Sequence, residues 1–166
     1  MGLIEERLEE LGIELPGEVV VPAGVVLPFA FVNVRGDRAI VSGHGPQNLD
    51  GTLAGPFGIV GAPPDRGGIT VEQAHASARL VALSMLGSLQ RELGSLDRIA
   101  GWVKALGMVR CDPNFGQQPA VINGFSDLIL EVFGPEVGRH ARSAVGMTAL
   151  PFGMPVEIEA EVILTT

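Results

Sequence analysis

The chain has 166 residues, 46% hydrophobic and only 18% charged, a balance that fits one domain with a sizeable core and leaves apolar surface for a second copy to cover. Its 19 acidic against 11 basic side chains give a net charge of −8, which argues against nucleic acid as a partner because phosphate neutralisation relies on Lys and Arg. One cysteine, Cys111, excludes an intrachain disulfide, and neither a membrane-length apolar run nor a signal-like basic start is present, so a cytoplasmic protein with no membrane partner is expected.

Residues 3–11 read as a short amphipathic helix, with Ile4, Leu8 and Leu11 on one face and Gly12 as its end. This N-terminal extension, about residues 2–15, is expected to pack on the domain without a catalytic role. Residues 19–26 carry Pro22 and Gly24, with Pro28 after them, and read as irregular or as an edge strand. Residues 29–34 and 38–42 flank Arg35-Gly36-Asp37 and predict a hairpin. About residues 44–68 form a Gly/Pro-rich connection longer than ordinary loops. It reads either as a lid, with Phe57 and Ile59 as its apolar contacts, or as a surface excursion packed on itself. No phosphate-binding glycine motif lies in it.

Thr70-Val71-Glu72-Gln73 has the form of a capping box. The helix it opens continues to about Leu93 and stops at Gly94, with Ala74, Ala78, Val81, Met85 and Leu89 at helical spacing. A strand is expected over residues 99–109. A second helix begins near Pro119 and runs to Gly134-Pro135. Two strands close the chain, separated by Pro151-Phe152-Gly153-Met154-Pro155. In the last, Val156, Ile158, Ala160, Val162 and Leu164 alternate with Glu157, Glu159 and Glu161. Helices segregated on one face of a small sheet make a single α+β sandwich spanning residues 1–166.

Two residues stand out chemically. Arg142 opens the first of the closing strands, and a guanidinium forks onto a planar carboxylate through parallel charge-assisted hydrogen bonds. Glu157 opens the second and suits the positioning or deprotonation of a water. The competing readings are a weak surface ion pair for Arg142 and a solvated acidic face for Glu157. If these strands pair antiparallel, the two residues sit at opposite ends of the sheet, roughly 26 Å apart at ~3.3 Å per residue. A shared pocket then needs Glu157 from a neighbouring chain. His44, His75 and His140 match no metal spacing, so no metal is expected. His140, two residues before Arg142, is within reach of the same pocket.

Arg142-Ser143-x-Val145, then Leu150-Pro151, then Val156-Glu157-Ile158-Glu159-Ala160, resembles the C-terminal signature of the Rid (YjgF/YER057c/UK114) family. The likeness runs from about Phe29 to the C-terminus, and Gly138-Arg139-His140-Ala141-Arg142 points to a branch of uncharacterised function. The resemblance implies a chorismate-mutase-like (YjgF-type) sandwich, a mixed sheet with two long helices on one face. It also implies a homotrimer with ligand clefts between subunits, and hydrolysis of reactive 2-imino acids and enamines to 2-keto acids and ammonia. Arg142 then clamps the carboxylate of a small metabolite, Glu157 orients the water, and the backbone near Ala144 accepts from the imine nitrogen. Ser42 matches a pocket serine, Asn123 a helix asparagine, and His44 a position where relatives often carry Gln. Phe29 stands where many of the enzymes have tyrosine, and this chain has no tyrosine at all. No cofactor is implied. The alternatives are a non-catalytic binder of small carboxylates and, least favoured, the ribonuclease or translation-inhibitor label that some relatives carry.

Overall fold

The computed structural model describes residues 2–21 and 23–165. A five-stranded sheet carries the domain, with β1 (Val32–Arg35), β2 (Arg38–His44), β5 (Ile99–Arg110), β6 (Ala141–Met147) and β7 (Val156–Leu164) in the spatial order β1-β2-β7-β5-β6. All neighbours are antiparallel except β5 and β6, which run parallel. The sheet is therefore mixed. Two helices, α2 (Val71–Leu93) and α3 (Gln118–Gly138), cover one face, and a small helix α1 (Leu3–Glu10) precedes them.

The alternation in β7 sets the two faces. Val156, Ile158, Ala160, Val162 and Leu164 are buried beneath the helices with Trp102, Ala105 and Val109 of β5. Trp102 meets the rings of Phe125 and Phe133 edge-on, at centroid distances of 5.8 and 5.7 Å. Full burial of one such apolar side chain stabilises by about 1.5–3 kcal/mol. The two helices approach closely at Gly124, where a Cβ would collide with the His75 carbonyl. The other face of the sheet stays open: Ile40, Val145 and Ile163 are exposed there beside Glu157, Glu159 and Glu161.

The local signals act as their chemistry dictates. The Thr70 hydroxyl accepts from the Gln73 amide at 3.2 Å, and the Gln73 side chain accepts from the Thr70 amide at 2.9 Å. Gly94 ends α2 at φ +80°. In α3 the helical path breaks at Gly134, with Pro135 after it. The α1 helix is tied down rather than free: the Asp97 carboxylate accepts from the Leu3 and Ile4 amides at 2.7 and 2.8 Å, and Glu5 accepts from Leu96 N–H at 2.7 Å.

Residues 44–68 carry short strand structure of their own. They include β3 (Ile59–Val60), which pairs in parallel with β4 (Gly68–Ile69) and bridges to Cys111 just past β5. Arg66 then pairs with Asp112 at 3.0 Å. Of the expected lid contacts, Ile59 is half-buried and Phe57 is exposed.

The separation expected for Arg142 and Glu157 needs correcting. Strands β6 and β7 run in opposite senses but do not pair; β5 lies between them. Arg142 is level with Ala105, and Glu157 with Met108. Three residues along the strands is about 10 Å, and two strand spacings about the same again. The offset is short because β6 covers only the second half of the 12-residue β5. The two residues nonetheless face away from each other, for Ala105 points to the helices and Met108 to the open face.

Candidate functional site

Arg142 and Glu157, which lie on opposite faces of the sheet, each head a group of candidate residues. Arg142 heads the first. It lies on edge strand β6, half-buried, with its side chain against α3. Its Nη1 donates to Asn123 Oδ1 at 2.9 Å and to Ser126 Oγ at 3.0 Å. Asn123 and Ser126 are one helical turn apart and so share a face. Among the described residues no carboxylate pairs with Arg142. A guanidinium held by two neutral oxygens keeps its full charge and its remaining donors for an anion.

His140 stands behind this group. Its Nδ1 lies 2.8 Å from the Gly138 carbonyl and its Nε2 3.0 Å from Ser126 Oγ. The carbonyl can only accept, so the proton is assigned to Nδ1, and Nε2 accepts from the serine hydroxyl. Ser126 can then accept from Arg142 while donating to His140. Burial holds the imidazole pKa below its usual value; the Gly138 carbonyl opposes that shift and the Arg142 charge reinforces it. His140 thus orients the serine that orients the arginine. Ala144 follows on the same face of β6, level with Gly107.

Glu157 heads the second group. Its carboxylate lies against Gly43, where a Cβ would land on Oε1. Strand β2 is irregular between Val41 and His44, and this bulge brings Ser42-Gly43 beside β7. Burial raises the Glu157 pKa, with repulsion from Glu159 adding to it. Such a carboxyl is a better proton acceptor than a solvated one. The Ser42 hydroxyl donates to the Ala30 carbonyl at 2.7 Å and retains acceptor capacity. Phe29 is half-exposed and stacks edge-on with Phe31, which in turn contacts His44.

His44 is buried, only 4% exposed, and both ring nitrogens are engaged. Nδ1 is 2.6 Å from the Ser42 carbonyl and Nε2 is 2.9 Å from Ser88 Oγ. Burial lowers its pKa to about 4, offset in part by the Ser42 carbonyl, with Arg91 lowering it further. The expectation that His44 lines a cleft is corrected on this point: it supports Ser42-Gly43 from behind, with no free ring nitrogen to offer a ligand. Ser126 and Ser88 were missed by sequence reasoning. Ser126 had a signal in its Asn123-x-x-Ser126 spacing; Ser88 had none.

Among the described residues no three His, Cys, Asp or Glu side chains converge to hold a metal ion, and no helix is long and apolar enough to cross a membrane. A shallow cavity of about 290 Å³ on the open face joins Ser42 to Lys104, Leu106, Glu159 and Glu161.

A mixed sheet backed by two helices on one face is the fold of a YjgF-type, chorismate-mutase-like domain. The chain belongs to the family described as "YjgF/chorismate_mutase-like, putative endoribonuclease", whose model matches residues 5–158. Protein TCP17 of Trypanosoma cruzi is 41% identical over 164 residues, covering 98% of this chain and 95% of that protein. Protein Atu1372 of Agrobacterium tumefaciens, of unknown function, is 38% identical with a TM-score of 0.82, covering 99% of this chain and 93% of that one. A protein of Shewanella oneidensis named as a putative endoribonuclease is 30% identical with a TM-score of 0.82, covering 98% of this chain and 100% of that one.

Proposed function

We propose that the protein hydrolyses small 2-imino acids and their enamine tautomers to 2-keto acids and ammonia, in a pocket completed by a second copy of the chain. The observation that carries this reading is the unpaired Arg142 guanidinium, aimed by Asn123 and Ser126. Arg142 takes the substrate carboxylate in a bidentate grip. Glu157 of a neighbouring copy orients a water and accepts its proton as oxygen bonds to the imine carbon. The carbinolamine then loses ammonia once its nitrogen is protonated, leaving the ketone. The backbone near Ala144 accepts from the imine N–H and fixes which face is attacked. Imine hydrolysis has a low barrier in water, so positioning and proton transfer suffice and neither step calls on a cofactor.

The opposite-face placement of Arg142 and Glu157 supports assembly, because no side chain reaches through a sheet. A cyclic homotrimer, apposing the open, partly apolar face and edge of each sheet with its neighbour's, would join the two halves three times over. A cytoplasmic setting suits the lone thiol and the metabolite-sized ligand. A second reading, binding of small carboxylates without turnover, is supported by the Arg142 group, whose orienting partners Asn123 and Ser126 both come from its own chain. RNA cleavage, the activity in the names of relatives, meets a net charge of −8 and a carboxylate-lined open face.

The test is ammonia and keto-acid release from 2-imino acids generated in situ. Acceleration by the wild-type protein that falls by at least about a hundredfold in Arg142→Ala supports the hydrolase. No acceleration with any side chain, combined with saturable binding of 2-keto acids, establishes the binder instead.

A further inference from the structure

The constellation behind Arg142 occurs a second time in the molecule. His140 donates to the carbonyl two residues before it and accepts from Ser126, and Ser126 accepts from Arg142. His44 likewise donates to the carbonyl two residues before it and accepts from Ser88, and Ser88 accepts from Arg91 Nη2 at 3.2 Å. The second arginine is also fastened by a neutral oxygen, since its Nη1 donates to the Pro16 carbonyl at 2.9 Å. Like Arg142, it has no ion-pair partner among the described residues. This arginine does not face a bare surface. It borders a cleft of about 510 Å³ between residues 18–21 and 27–32 on one side and the last turns of α2 on the other.

The lining of that cleft specifies its ligand. Val19, Leu27, Phe29 and Phe31 supply apolar wall, and Glu18 and Glu92 join Ser88 and Arg91 as the polar groups. One guanidinium beside two carboxylates disfavours a simple organic acid, which would meet two like charges. It disfavours a simple amine through the arginine. A zwitterion satisfies both signs, and the volume lies within the range of small-molecule sites. We propose that this cleft is a second ligand site, separate from the Arg142 clamp, that takes an apolar α-amino acid. Its carboxylate sits on Arg91, its ammonium between Glu18 and Glu92, and its side chain against Phe29 and Phe31.

Titration calorimetry with L-leucine tests this on the whole protein. Saturable binding is expected, weakened by about tenfold or more in Arg91→Met, which keeps the aliphatic stem, and changed by less than about twofold in Arg142→Ala. Leucine is expected to bind more tightly than its des-amino analogue 4-methylpentanoate. Glu92→Gln should narrow that preference, a readout that stands even if Arg91→Met does not fold. Lack of saturation by ~20 mM leucine overturns the site. So does undiminished binding in a folded Arg91→Met. Loss in Arg142→Ala instead would place leucine in the first clamp, and equal binding of 4-methylpentanoate would remove the zwitterion assignment. None of these outcomes depends on imine turnover.

Discussion

The Arg142 and Glu157 groups share one sheet and are built in opposite ways. Arg142 lies on an edge strand, faces the helices, and is aimed by two side chains of α3. Glu157 lies on an interior strand, faces away from the helices, and is confined by the backbone of Ser42-Gly43. One is a cation with no ion-pair partner among the described residues. The other is an anion whose nearest charged influence is a second carboxylate, so its charged form is disfavoured twice over. Each group lacks what the other holds, and the thickness of the sheet keeps them from meeting within one chain. On the proposed assembly, the ionic imbalance at each half is what a neighbouring copy would complete.

Mixing protomers would break that comparison most decisively. Arg142→Ala and Glu157→Gln are each expected to lower imine hydrolysis by about a hundredfold or more. Co-refolded one to one, they should regain roughly a quarter of wild-type activity, because random pairing around a ring rebuilds that share of intact sites. No recovery, in mixtures shown to exchange subunits, would mean that both residues serve a pocket within one chain or serve none.

The two histidines sharpen the comparison through pH. His44 is buried and its folded pKa of about 4 lies below the ordinary 6.5. The unfolded chain therefore binds more protons between those values. The stability contribution of neutral His44 is complete above pH 6.5 and disappears as pH falls to about 4, some 3 kcal/mol in all. Thermal unfolding of His44→Gln should lose most of this slope. His140 is half-buried and lowered in the same sense, so His140→Gln should remove a smaller part. An equal slope in wild type and His44→Gln would show that His44 is charged or reached by solvent in the folded protein.

Much of this was legible in the sequence because it rests on local chemistry. The Thr70–Gln73 box, the Gly94 stop, the Gly134-Pro135 break and the β7 alternation each need only neighbours in the chain. Placing β5 between β6 and β7 is a nonlocal choice, and no period within either strand encodes it. That is why the distance between Arg142 and Glu157 was misjudged. The bulge after Val41 was equally hidden. The burial of His44 follows from it, and so do the contacts of Ser88, which lies 44 residues away on another element. The long Gly/Pro segment concealed a two-stranded ladder because Ile59–Val60 and Gly68–Ile69 are too short to show alternation.

The smallest expected effect isolates the Glu157 half alone. Gly43 leaves the space that the Glu157 carboxyl occupies, and a methyl group there would first meet Oε1, Cδ and Cγ of that flexible side chain. Gly43→Ala should therefore move the carboxylate by a rotamer adjustment costing of order 0.5–1.5 kcal/mol, with the backbone and the Arg142 group unchanged. Turnover is expected to fall about three- to tenfold, while KM, reporting the carboxylate clamp, holds steady. A rise in KM with kcat intact would instead place Gly43 against the substrate carboxylate, and the division of labour between the two halves would have to be redrawn.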